Sequence, residues 1–174
     1  MPEPTSFRSD RSLFSLAQIQ HLMRIEFRRA QRYRYPIVCM IVAVDRLGHL
    51  RDLYGYDAKE EILERVIQLL KVQTRSSDFL GRMADDRLLA VVPHTDAAGA
   101  QAMAQRILAA IQKLDFASEG RTIRVGVSIG IAHAGAEGTL FYESMLQSAA
   151  DALEEAAAAG GSRYLVKAAS GAAS

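Results

Sequence analysis

Few side chains in this sequence have the spacing of a reactive site. Arg75 and Asp78, separated by Ser76 and Ser77, set a fork of guanidinium donors three residues before a carboxylate. At a helix end such a pair ordinarily closes a surface ion pair worth about 1 kcal/mol or less. Arg24, Arg28, Arg29 and Arg32 recur at helical spacing as one cationic face. Such a face suits an acidic partner, lipid headgroups or nucleic acid, but more often it is simply solvated. The four histidines, His21, His49, His94 and His133, are scattered without zinc spacing. No Ser-His-Asp or Cys-His arrangement is suggested by spacing. The one cysteine, Cys39, lies in an apolar run, which excludes a disulfide framework and points to a buried thiol.

Periodicity gives the elements that carry these groups. Ile19, Leu22, Met23 and Phe27 mark an amphipathic helix from Leu16 to Arg34. Tyr35-Pro36 ends it, and the unbroken apolar run from Ile37 to Val44 suits a strand buried on both faces. A second helix runs from Asp57 to near Gln73, with Tyr54 and Tyr56 expected to pack beside it. Two short apolar runs, 79–83 and 88–92, flank Ala84-Asp85-Asp86-Arg87 and predict a hairpin closed by Pro93. Asp96 is an N-cap for a helix over 97–114, and Ile123 to His133 reads as one central strand. A helix over 142–159, stopped by Gly160-Gly161, and a short strand over 163–166 complete the chain. A hairpin inside an alternating α/β order predicts a mixed sheet of about five strands flanked by helices.

The chain's 174 residues, 49% of them apolar, fit one soluble domain. A net charge of +1 gives no global field for nucleic acid or anionic membrane, although Arg8, Arg11 and the arginines of the first helix make the beginning locally basic. The central-strand sequence Val125 to Gly130 lacks the paired aromatics of an RNA reader. No apolar stretch is long enough to insert in a membrane and no secretory leader is visible, so a cytoplasmic protein is expected. The small polar residues at 168–174 and the Pro/Ser/Arg-rich residues 1–12 are expected to be loose, leaving residues 13–167 as the domain.

Several separated segments, in order, resemble the GGDEF domain, the diguanylate cyclase fold that makes cyclic di-GMP from GTP. They are Arg32-Tyr33-Arg34-Tyr35-Pro36 with the strand to Asp45, Asp52-Leu53-Tyr54-Gly55-Tyr56, Leu89-Ala90-Val91-Val92-Pro93, and Val127-Ser128-Ile129-Gly130-Ile131-Ala132. The resemblance implies a nucleotide-cyclase-like fold, and a fold alone does not fix activity. It also implies which groups the chemistry would need, because attack of a ribose hydroxyl on an α-phosphate is assisted by divalent metal on carboxylate oxygens. The first metal-binding aspartate falls at Ala43, and the signature turn becomes Ala84-Asp85-Asp86-Arg87-Leu88, with one acid replaced by a guanidinium. The guanine-binding asparagine and aspartate fall at Arg51 and Glu60, and the triphosphate lysine falls at Ala157. Glu60 could still accept from a guanine edge. The expectation is therefore a degenerate domain with no cyclase activity, no metal and no resident cofactor.

The resemblance gives Arg75-Ser76-Ser77-Asp78 a second meaning. It matches the Arg-x-x-Asp inhibitory site through which family members bind cyclic di-GMP, and Arg106 falls where the family supplies a second arginine. An arginine fork can meet guanine O6 and N7 while a carboxylate accepts from N1 and N2. The leading expectation is an inactive cyclic di-GMP receptor that relays its state to an unidentified protein partner. The alternatives are a ligand-independent interaction module on the same scaffold and, third, an active cyclase. Association of two copies is open, since the family often associates through this domain or through preceding helices.

Overall fold

The computed structural model describes residues 13–118, 120–134 and 141–169. Helix α1 (Leu16–Tyr33) leads into strand β1 (Ile37–Val44), followed by helices α2 (Leu47–Tyr54) and α3 (Tyr56–Gln73). A hairpin of β2 (Phe79–Arg82) and β3 (Leu88–Pro93) precedes α4 (Ala97–Gln112). Two three-residue strands, β4 (Phe116–Ser118) and β5 (Arg121–Ile123), then give way to β6 (Val127–Ala134), α5 (Tyr142–Ala158) and β7 (Arg163–Ala168). The expected loose residues 1–12 lie outside the described residues, as do 170–174 of the expected tail.

The main sheet has the order β2-β3-β1-β6-β7, with β1 antiparallel to both neighbours and β7 parallel to β6. This is the mixed five-stranded α/β architecture the sequence predicts. Successive side chains of a strand face opposite ways, and β1 uses both faces. Val38, Met40, Val42 and Val44 meet α3 and α4 through Ile62, Val66, Leu70, Met103 and Ile107. Ile37, Cys39 and Ile41 meet α1 and α5 through Ile19, Met23, Phe27, Met145 and Ala149. Burial pushes the Cys39 thiol up to about 12, so it is a packing group. On the α5 side β6 presents the small residues Ser128, Gly130 and Ala132, which lets helix and sheet approach closely.

Four details differ from the expected elements. Residues 47–54 form α2, introduced by Arg46 in the left-handed region at φ 53°. The stretch 123–133 is not one strand, because Ile123 belongs to the separate β4/β5 hairpin and β6 begins at Val127. Ile123 nonetheless points into the core, so apolar alternation carries across the break. Strand β7 runs to Ala168, and the Ala169 N–H still donates to the His133 carbonyl at 3.0 Å. Tyr54 packs on the core as expected, whereas Tyr56 is exposed under the ammonium of Lys59.

Candidate functional site

Two clefts hold several of the residues singled out in the sequence, though Arg51, Glu60, Ala84, Asp86 and Leu88 line neither. The first lies at the end of β1 and is bounded by the β2–β3 turn and the C-terminal end of α5. Its volume is about 490 Å³, and its lining includes Ala43, Asp45, Arg46, Asp85, Arg87, Glu154 and Ala157. The turn closes through a 2.8 Å bond from the Met83 N–H to the Arg87 carbonyl, with Asp86 in the left-handed region at φ 65°. That conformation suits Asp better than most residues.

The charges at this turn are paired differently from the sequence expectation. Asp86 is held 2.8 Å from Lys59 and 2.6 Å from Arg82. The hydrogen bond from Lys59, aided by the one from Arg82, holds the Asp86 carboxyl below its ordinary range, and the same contacts raise Lys59 and Arg82. Glu60, expected to be available to a guanine edge, lies 3.4 Å from Lys59 and 3.7 Å from Arg82. Arg87, expected to be the repelling cation, has its Nε 2.6 Å from Asp85 Oδ2 and is locally offset. The positive charge facing Asp86 thus comes from α3 and β2. Lys59 follows from no motif; only its place one turn into α3, ahead of Glu60, could have signalled it. Leu88 is the first residue of β3 and is buried. Arg51 lies exposed on α2, 3.5 Å from Asp52.

Asp45, the cleft carboxylate that follows β1, is also committed. Its Oδ1 accepts from Ser128 Oγ at 2.5 Å and its Oδ2 from the Ser162 N–H at 2.9 Å. It therefore ties β1 to β6 and to the loop before β7. A hard divalent ion needs several free oxygen ligands. Here it would meet the Ala43 methyl, an Asp45 occupied by two donors, an Asp85 paired with Arg87 and, on α5, Glu154 as a single further carboxylate, while Asp86 beside the cleft is held by two cations. Among the described residues, no three His, Cys, Asp or Glu side chains are grouped to hold a metal. The side chains present do not fit one.

The Asp86 cluster makes a testable statement about acid. A carboxyl depressed in the folded state contributes stability above its unfolded pKa of about 3.9, and that contribution is lost as pH falls through the lower folded value. Wild type is expected to exceed Asp86→Asn by about 1 kcal/mol in urea unfolding at pH 6. The gap should close on acidification below about pH 4. A gap of the same size at pH 2 would mean that the pairing is not its source.

The second cleft, about 380 Å³, lies between the C-terminal end of α3 and the N-terminal half of α4. It brings together Arg75, Asp78 and Arg106, with His94, Thr95, Asp96 and Pro36 among its other lining residues. Thr74 ends α3, and the following turn is closed by the Asp78 N–H to Arg75 carbonyl bond of 3.0 Å. Asp78 Oδ2 accepts the Arg75 backbone N–H at 2.8 Å, while the Arg75 guanidinium donates to Thr95 Oγ1 at 2.7 Å. Asp96 caps α4 by accepting the Gly99 N–H at 2.8 Å, and burial of Met103 and Ile107 orients the helix so that Arg106 lines the cleft. Thr95 and His94 carried no signal in the sequence beyond their place after Pro93.

The family described as "Diguanylate cyclase, GGDEF domain" matches residues 12–163. The chain belongs to the GGDEF family. This GGDEF domain is 29% identical over 133 residues to diguanylate cyclase DosC of Escherichia coli, covering 76% of this chain and 28% of DosC. It spans less than a third of the length of diguanylate cyclase A of Treponema denticola and of DosC. Its fold superposes with a TM-score of 0.82 on the GGDEF domain of DgcB from Caulobacter crescentus in complex with c-di-GMP, at 16% identity and covering 90% of this chain and 91% of that one. Diguanylate cyclase SiaD in complex with its activator SiaC, from Pseudomonas aeruginosa, gives a TM-score of 0.81 at 21% identity, covering 89% of this chain and 59% of SiaD. Among the described residues, no helix of the GGDEF domain is long and apolar enough to cross a membrane.

Proposed function

We propose that this GGDEF domain does not perform the cyclase reaction and serves as a cyclic di-GMP receptor, binding through Arg75, Asp78 and Arg106 and relaying to a protein partner. The observation that carries the reading is the meeting of those three side chains at one open cleft, at a volume within the range of small-ligand sites. The guanidinium of Arg75 would leave Thr95 to take O6 and N7 of a guanine, and Asp78 would accept from the opposite edge. Arg106, which makes no ion pair among the described residues, would face a phosphate. Relatives point the same way: DgcB is seen with c-di-GMP and SiaD with an activator protein.

Loss of the reaction rests on the first cleft. The family's metal and triphosphate positions are Ala43 and Ala157, and Asp86 is held by Lys59 and Arg82. Groups that act as a unit fail together, so GTP with Mg²⁺ is expected to give no cyclic di-GMP. Product formed at a rate proportional to protein, in chromatographic assay, would overturn this half of the reading. The receptor half is tested by thermal melting. A ligand that binds only the native state must raise the melting temperature in proportion to the logarithm of its concentration. No shift with millimolar cyclic di-GMP would leave the ligand-independent interaction module.

A further inference from the structure

His94 is the first residue after β3 and is held in the left-handed backbone region at φ 55°. That conformation is uncommon outside glycine, and His is among the residues enriched in it. One face of its imidazole is stacked on the ring of Tyr35, with centroids 3.8 Å apart and planes 27° from parallel. Tyr35 is fixed in turn, because its hydroxyl donates to Glu26 Oε1 at 2.5 Å. Burial and that hydrogen bond push the Tyr35 phenol up to about 12, so it remains a donor at neutral pH. Glu26 is a buried carboxylate of α1, with Arg29 3.7 Å away. His94 is exposed and lines the cleft of Arg75 and Arg106.

We propose that His94 is a further ligand-contacting residue of this cleft, supplying a stacking platform for a purine base, with Tyr35 as the residue that positions it. The inference rests on the receptor reading above and adds the group that holds the face of the base, where Arg75 and Asp78 meet only its edges. A ring already stacked on one side and anchored through Glu26 loses little freedom when a base covers its other side, which favours binding. Base–aromatic stacking is worth about tenfold or more in affinity per base on removal of the ring.

The test is calorimetric titration of cyclic di-GMP into wild type, His94→Asn and His94→Phe. Asn suits the left-handed backbone, so His94→Asn removes the ring without straining the turn, and Phe restores a stacking face without ring nitrogens. Binding to His94→Asn is expected to weaken about tenfold, with His94→Phe within about threefold of wild type. His94→Asn binding as tightly as wild type would overturn the proposal, as would His94→Phe losing as much as His94→Asn. Absence of binding by wild type would instead remove the receptor reading on which the proposal stands.

Discussion

Arg75→Ala is expected to weaken cyclic di-GMP binding by about tenfold to a hundredfold, and Arg75→Ala combined with Arg106→Ala to bring it below calorimetric detection. The guanidinium of Arg75 already lies at the cleft, donating to Thr95, so one hydrogen bond has to be exchanged to present it. Its removal deletes two parallel donors and leaves guanine acceptors in the cleft without partners, which costs more than the bonds alone. Arg75→Lys keeps the charge and loses the planar fork, so it should fall between wild type and Ala. Arg51→Ala serves as control, since Arg51 is an exposed residue of α2 beside Asp52. Unchanged affinity in Arg75→Ala would show that binding, if present, occurs elsewhere.

The largest effect on stability is expected from Gly130→Val. Gly130 lies in the middle of β6, and a Cβ there would collide with the Ala149 carbonyl and the Leu153 N–H of α5, and would lie 2.8 Å from the Leu153 Cβ. Two of these obstacles are backbone, which cannot rotate aside as a side chain would. Relief would require α5 to lift off the sheet, exposing Met145, Ala149 and Ala152, which are fully buried. Overpacking costs about 1–3 kcal/mol and occasionally more, and backbone obstacles put this case at the upper end, a large part of a domain's stability of about 5–15 kcal/mol. Denaturant unfolding or poor soluble yield should report it. Gly48→Ala makes the contrast, because nothing lies near a Cβ at that position of α2, and a gain of about 0.5–1 kcal/mol is expected. Equal stability of Gly130→Val and wild type would contradict the described closeness of α5 and β6.

Elements with a full period were legible in the sequence. The alternation of β1 divides between two cores, and the spacing of Ile62, Val66 and Leu70 gives the buried face of α3. Asp96 was readable as an N-cap because its chemistry is local. Helix α2 was missed because its eight residues bury only Leu50, too few to set a period. The β4/β5 hairpin was missed because Ile123 continues an apolar pattern that belongs to two strands. In the candidate sites, positions that follow from a motif could be named, and Arg75, Asp78 and Arg106 share one cleft. Partners contributed by other elements could not. Lys59 reaches Asp86 from α3, and Tyr35 reaches His94 from the end of α1. Contacts across tens of residues leave no spacing to read.

The ammonium of Lys59 against Asp86 has a consequence for anyone engineering this loop. A lysine built into the polypeptide acts as the turn's resident counter-ion, so the hairpin needs nothing from solution to keep its shape. On the proposed reading, a magnesium ion brought to this turn would have to compete with Lys59 and Arg82 for Asp86, whatever acids were added at Ala43 or Arg87.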